Sequence, residues 1–522
     1  MHKNRIVLAL VFIVCTVASR LLFSPWDHNG FSFDEGNLAL AARSYSIQES
    51  RPHLPGYYAH VAVIRFFSRI TGEIFSSMSL VSALYSGCAA GLFFLLLIRW
   101  FSLPAALCMT VLLMTNPVVW FYGCSSEIYA FDLFLGIAGM YLGTTNRLIY
   151  FLPLLFAGAA GVRQSSPVLL IPLYCYLWFR FHRDNGIDMK KFLVYHFFGV
   201  VLCGAWFIPM IYSTGGFQGY LDLYVTNNPV EGTTLLQSIY RMASFCVYFC
   251  VQIVVVVAAT LCIPKTGKQQ SPQATLYPVR DLRSLLILLG LWIVPPFLFF
   301  LFVAYSKGYI LLIAGGISIA TCLIMYRRAW GVVLCMALIG MQTLFFLAYP
   351  CTSPDVEVFI ASQYRTIKPL KVWRERMNSV FCMSQSQLRA QTALDRHLER
   401  IAKEMEQEKP GGWYDARFLF IDPTSTMSAR ALQAKHPKTC FASLQLRKKN
   451  AYVTYGNLAY RERAGIDDLV SSSLIFSRTD FVRRYFAGAA IEQKTFGEWT
   501  LFRFCSSSLE DGAQKYATLF LR

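Results

Sequence analysis

Two adjacent carboxylates, Asp34 and Glu35, stand shortly after the first apolar run of the chain, in the stretch FSFDEGNLALAAR. A carboxylate at a membrane surface can act as a general base, taking a proton from a hydroxyl. A structural role competes with that reading. Ser32-Phe-Asp-Glu35 has the form of a capping box, and acids at a helix start are favoured by the helix dipole. Leu38, Ala41, Ala42 and Tyr45 share one face of the helix that would begin there. Further along, Glu127 opens an apolar run in CSSEIYAFD, Arg163 and Gln164 lie between two runs in GVRQSSP, and Lys307 lies between two later runs in YSKGYILL. Charges at membrane depth are costly and tend to mark function. The plainer alternatives are that Glu127 and Arg163 pair, or that all of these are loop residues at the interface. Acids and cations converging on one side would suit a lipid-linked phosphate. Arg and Lys would hold the phosphate, and a carboxylate would take a proton from an acceptor.

The elements that must position these residues are hydrophobic helices. Of 522 residues, 55% are hydrophobic and only 15% charged, against about 25% charged in an ordinary soluble chain. The apolar runs are confined to residues 5–350, and 351–522 reads as a soluble domain. A spanning helix needs roughly 20 apolar residues. Candidates are 5–23, 75–98, 103–122, 127–143, 148–162, 165–180, 192–213, 236–263, 284–304, 309–326 and 330–350. The expected fold is therefore an α-helical polytopic membrane protein of about 11 transmembrane helices, followed by a small soluble α/β domain. Strand-like runs at 417–421 and 499–504, with helical periodicity around 385–408, support the latter. The first run is read as a retained span rather than a cleaved signal peptide.

Orientation follows from the basic gaps. With the N-terminus inside, Arg99, Arg147, residues 180–191, residues 265–283 and Arg327-Arg328 all fall on the cytoplasmic side. This requires that 57–71 not cross. With Arg65 and Arg69 on one side, that segment reads as an amphipathic helix lying in the interface. The acidic loop 24–74, residues 163–164, residues 305–308 and the domain 351–522 then share the outer side. The net charge of +18 is topological on this reading, and no nucleic-acid partner is implied. Most of the 15 cysteines lie in apolar runs. Cys351, Cys382, Cys440 and Cys505 are the candidates for disulfides, with no pairing readable. No metal-ligand spacing is present, so no metal site is indicated, and no cofactor is called for beyond the substrate lipid.

The order of these features resembles the C-type superfamily of membrane glycosyltransferases, especially its protein O-mannosyltransferase-like and aminoarabinose-transferase-like branches. The resemblance rests on Asp34-Glu35 after the first span, Arg51-Pro-His-Leu-Pro-Gly-Tyr57, Ser126-Glu127-Ile-Tyr129, Gly161-Val-Arg163-Gln164-Ser and Lys307-Gly-Tyr309, and covers about residues 5–350. It implies transfer of a sugar from a polyprenyl-phosphate donor to a protein, lipid or glycan acceptor, with inversion, at the outer face of a bacterial inner membrane. Asp34, beside Glu35, would be the catalytic acid. Arg163 and Lys307 would meet the leaving phosphate, and His53, Tyr57, Glu127, Tyr129, Gln164 and Tyr309 would complete the substrate site. The rival class is a transporter or flippase of a lipid-linked or polar substrate. That class predicts symmetry between halves and polar helices at the midplane, whereas the charges here gather at one face.

Overall fold

The computed structural model describes residues 2–24, 33–146, 148–227, 282–302, 307–325 and 331–348, and beyond 400 chiefly the strands of one sheet. Ser32, Arg147 and residues 236–263 lie outside the described residues, so the capping box, that positive gap and that span are not described.

Five helices are long and apolar enough to cross a membrane: Asn4–Phe23 within α1 (His2–Phe23), α4 (Ile74–Leu97), α11 (Met189–Tyr212), α13 (Leu282–Phe302), and Gly308–Met325, which contains α14 (Leu311–Met325). Shorter apolar helices are α7 (Tyr129–Gly143), Leu148–Val162, ending in α8 (Leu152–Val162), and Gly331–Leu347 in α15 (Gly331–Ala348). The protein is thus a polytopic helical membrane protein. The apolar faces of α1 and α11 are open, with Val14 and Val200 largely exposed, as lipid-facing helices require.

Two expected spans are not single rods. The run 103–122 is α5 (Leu103–Thr115) and α6 (Pro117–Cys124), bent by 62°. Pro117 cannot donate a hydrogen bond. The next two amides turn instead to the Asn116 side chain, whose oxygen accepts from Val118 at 3.0 Å and from Val119 at 3.5 Å. The Met114 carbonyl, which Val118 would otherwise have met, accepts from the Arg20 guanidinium at 2.6 Å. Arg20 is fully buried and lies 5.1 Å over the Trp120 ring, which stacks on Phe346. The run 165–180 is likewise divided, into α9 (Ser165–Leu169) and α10 (Ile171–Asn185), with Pro172 in the first turn of α10.

Between α1 and α4 lie α2 (Phe33–Arg43) and α3 (Tyr58–Thr71). α2 begins with Asp34 and Glu35 and ends with Arg43, the charge order its dipole favours. α3 is 14 residues long, about 21 Å. It buries His60, Val61 and Ile64 and leaves Phe66 and Ile70 exposed. Its Arg65 donates to the Ala41 and Ala42 carbonyls at 2.8 and 2.9 Å, which closes the open end of α2. α12 (Phe217–Asn227) follows α11.

In the C-terminal part, seven strands form one sheet in the order β4-β3-β2-β1-β5-β7-β6: β1 (Phe418–Ile421), β2 (Phe441–Arg447), β3 (Asn450–Tyr455), β4 (Arg461–Glu462), β5 (Ser473–Arg478), β6 (Ile491–Phe496) and β7 (Trp499–Phe504). β1 runs parallel to β2 and β5, and the other pairs are antiparallel. Ala434 packs into the small core that α2 and α3 make with the start of α4, among Leu38, Val61 and Phe75.

Candidate active site

The expected site residues fall into two groups at one end of the helices. The first is built on α2 and the loop before α3. Asp34 in the first turn of α2 is half exposed, and its Oδ1 lies 3.5 Å from His53 Nδ1. His53 Nε2 is 3.2 Å from the Tyr57 hydroxyl, and the Asn37 amide nitrogen is 3.4 Å from Nδ1. Glu35, its neighbour in sequence, is fully buried. Successive helical residues point about 100° apart, so one acid can face the site while the other joins the core. Tyr57 caps α3 in a left-handed conformation, φ 45°. Burial, outweighing the nearby Arg163 cation, holds its phenol above the ordinary value, and the nearby Asp34 carboxylate adds to the rise. That coupling links the two groups.

The loop carrying His53 is tied down from several directions. Tyr45 donates to the Gly56 carbonyl at 2.9 Å. Gln164 and Tyr220 both donate to the Pro55 carbonyl, at 3.1 and 3.3 Å. Gly56 has φ +114°, and a Cβ there would lie 2.8 Å from Met210 Sδ and 2.9 Å from Ile47 Cδ1. Only glycine fits both the dihedral and the space.

The second group surrounds Arg163, which ends α8 in an extended conformation. Its guanidinium is buried between two tyrosine rings, 4.9 Å from the centroid of Tyr129 and 4.2 Å from that of Tyr309. One guanidinium nitrogen donates to Asp132 Oδ2, and Ser166 donates to Asp132 Oδ1 at 2.5 Å. Lys307 begins the 3-10 turn Lys307–Ile310 beside this group, and its side chain lies outside the described residues. The turn is close because Gly308 lies against the Tyr129 ring, where a Cβ would fall 2.1 Å from ring carbon.

Among the expected residues, Asp34, His53 and Tyr57 come together, as do Tyr129, Arg163 and Tyr309. Gln164 serves the loop. The expected alternative in which Glu127 pairs with Arg163 does not hold: the partner is Asp132. Glu127 lies in the turn before α7, where its carbonyl accepts from Ser82 at 2.9 Å. Asp132, Ser166 and Asn37 are the residues that sequence reasoning missed. An acid inside an apolar run was the available signal for Asp132; Ser166 and Asn37 carried none. Among the described residues no group of three His, Cys, Asp or Glu side chains could hold a metal ion.

No family model matches the sequence, and no curated protein matches it. Solved structures do. ArnT from Cupriavidus metallidurans bound to undecaprenyl phosphate superposes with a TM-score of 0.58 at 13% identity, covering 95% of this chain and 98% of that one. Its apo state gives 0.56, also at 13% identity, over 94% and 97%. An Archaeoglobus fulgidus oligosaccharyltransferase tethered to an acceptor peptide aligns over 96% of this chain and 74% of its own at 8% identity, with a TM-score of 0.42. The helical core, its site-bearing end and the C-terminal part together thus share the fold of ArnT.

Proposed function

We propose that the protein is a membrane glycosyltransferase that moves a sugar from a polyprenyl-phosphate donor to an acceptor hydroxyl at the extracytoplasmic face. The observation that carries this reading is the pairing of a half-exposed carboxylate, Asp34, with a cation group around Arg163 at the same end of a fold shared with ArnT. ArnT has been solved with undecaprenyl phosphate bound. The contact of Ala434 with the α2–α3 core supports a common side for the acidic loop and the C-terminal part.

In the reaction, the acceptor O–H gives its proton to an Asp34 carboxylate oxygen. The acceptor oxygen forms a bond to the anomeric carbon from the face opposite the phosphate. The bond from that carbon to the phosphate oxygen breaks, and its electron pair stays on the lipid phosphate. The sugar carbon inverts. Arg163 and Lys307 stabilise the charge that develops on the phosphate. Asp132 and Ser166 hold Arg163 so that its remaining N–H groups are available. Because Asp132 cancels the charge of Arg163, the second cation, Lys307, supplies the net attraction for a dianion.

The test is binding of undecaprenyl phosphate itself to the purified protein, read by native mass spectrometry. Arg163→Ala and Lys307→Ala should each weaken binding by roughly 2–5 kcal/mol, as for a lost buried charge-assisted contact. Unchanged affinity in both variants, with the protein monodisperse, would remove the phosphate site.

A further inference from the structure

The imidazole of His53 sits on Asp34, and the proposed reaction gives it no task. Both ring nitrogens have polar neighbours: Asp34 Oδ1 at 3.5 Å and the Asn37 amide at 3.4 Å from Nδ1, and the Tyr57 hydroxyl at 3.2 Å from Nε2. A neutral imidazole donates from one nitrogen and accepts at the other, and the partner of one nitrogen sets the tautomer. The Tyr57 phenol is held protonated by burial and by the negative groups near it. A carboxylate only accepts, so the 3.5 Å contact between Nδ1 and Asp34 Oδ1 favours the ring proton on Nδ1, and Nε2 then accepts from the Tyr57 hydroxyl. That places an N–H against a carboxylate oxygen, the favourable match. The Asn37 amide, as placed, turns its NH2 towards Nδ1. Its oxygen is buried with no hydrogen-bond partner among the described residues. Turned over, that oxygen would face the same Nδ1–H.

We propose that His53 is the positioning residue for Asp34: its Nδ1–H holds Oδ1, which leaves Oδ2 to take the acceptor's proton, and Tyr57 fixes the tautomer by donating to Nε2. The proposal rests on Asp34 being the base. No proton passes through the ring during transfer. His53 acts by direction, through the carboxylate oxygen that it holds. The charged and titratable groups facing this unit are Asp34 from α2 and Tyr57 at the head of α3. Behind Tyr57 stand Arg163, Asp132 and Tyr309. On the loop itself, Arg51 is paired with Glu49 at 3.0 Å.

The test begins with the imidazole nitrogens. Protein labelled with nitrogen-15 at histidine is compared with the H53Q variant, whose missing signals assign His53. Near pH 8 the wild type should show a protonated Nδ1 and a bare Nε2, and Tyr57→Phe should release the ring to a mixture of tautomers. A wild-type ring protonated on Nε2 would overturn the proposal. These spectra need no sugar donor, so they stand apart from the transferase reading. In transfer assays, H53Q should lower the rate about 10- to 100-fold. Adding H53Q to D34N should cost nothing further. An H53Q variant with the wild-type rate defeats the positioning role. A D34N variant with the wild-type rate defeats the base assignment, and leaves the tautomer as a finding about the loop alone.

Discussion

At the scale of residues, the structure brings together several side chains singled out in the sequence, in pairings that local sequence does not reveal. Glu127 lies in the turn before α7 and Asp132 in the first turn of that helix, and Asp132 is the acid that meets Arg163. Nothing in the local sequence says which acid pairs, because the rotation of α7 is set by packing against α4 and α14. Asp34 and Glu35 were legible as a pair, and their division into an exposed and a buried acid was not, for the same reason. His60 makes a separate prediction. It is buried against Tyr85, with no partner for either ring nitrogen among the described residues. Burial drives its imidazole from the ordinary 6.5 down to about 3. The unfolded chain then binds a proton near pH 6.5 that the folded one refuses until about pH 3. This neutral histidine leaves stability at its full value above pH 6.5 and erodes it as pH falls towards 3, by about 1.4 kcal/mol per pH unit. Melting temperature followed from pH 7.5 to 5 should fall, and His60→Phe, which keeps the ring contact with Tyr85, should flatten that fall. A slope equal in both proteins would show that other groups set it.

At the scale of elements, α3 was legible as a short helix with Arg65 and Arg69 on one side. The break between α5 and α6 was not, although Asn116-Pro117 was in plain view. Averaged over some 20 residues, hydropathy does not register one missing N–H. What keeps the break in a membrane is that its freed groups find partners: the amides of Val118 and Val119 on Asn116, and the Met114 carbonyl on Arg20. Arg20→Met keeps length and apolar contact but leaves that carbonyl unpaired, at a cost of about 1–3 kcal/mol. It should lower thermal stability in detergent with little change in undecaprenyl-phosphate affinity. Undiminished stability would mean that another group satisfies the carbonyl.

At the scale of the whole molecule, the polytopic helical fold was plain from the density of apolar runs, while the number of spans was not. Several helices, such as α7 with 15 residues, are shorter than a full crossing, and length alone cannot separate a short span from a buried core helix. The sheet was foreshadowed at β1 and β7. Its order was hidden, because β1 pairs in parallel with two strands distant in sequence, and such pairing needs crossovers that no local pattern encodes. Sidedness is open to direct test. A reporter fused after Arg522 should be active only outside the cytoplasm. Activity confined to the cytoplasm would reverse the assignment of the acidic loop.

The central claim, that Asp34 is the base of a lipid-phosphate-dependent sugar transfer, is tested most directly by Asp34→Asn in purified protein supplied with polyprenyl-phosphate sugars. The substitution keeps the side chain's size and one acceptor for His53 while removing the proton acceptor. Transfer should fall by about 100-fold or more, with undecaprenyl-phosphate binding and melting temperature close to wild type. An Asp34→Asn protein that transfers sugar at near the wild-type rate would contradict the mechanism.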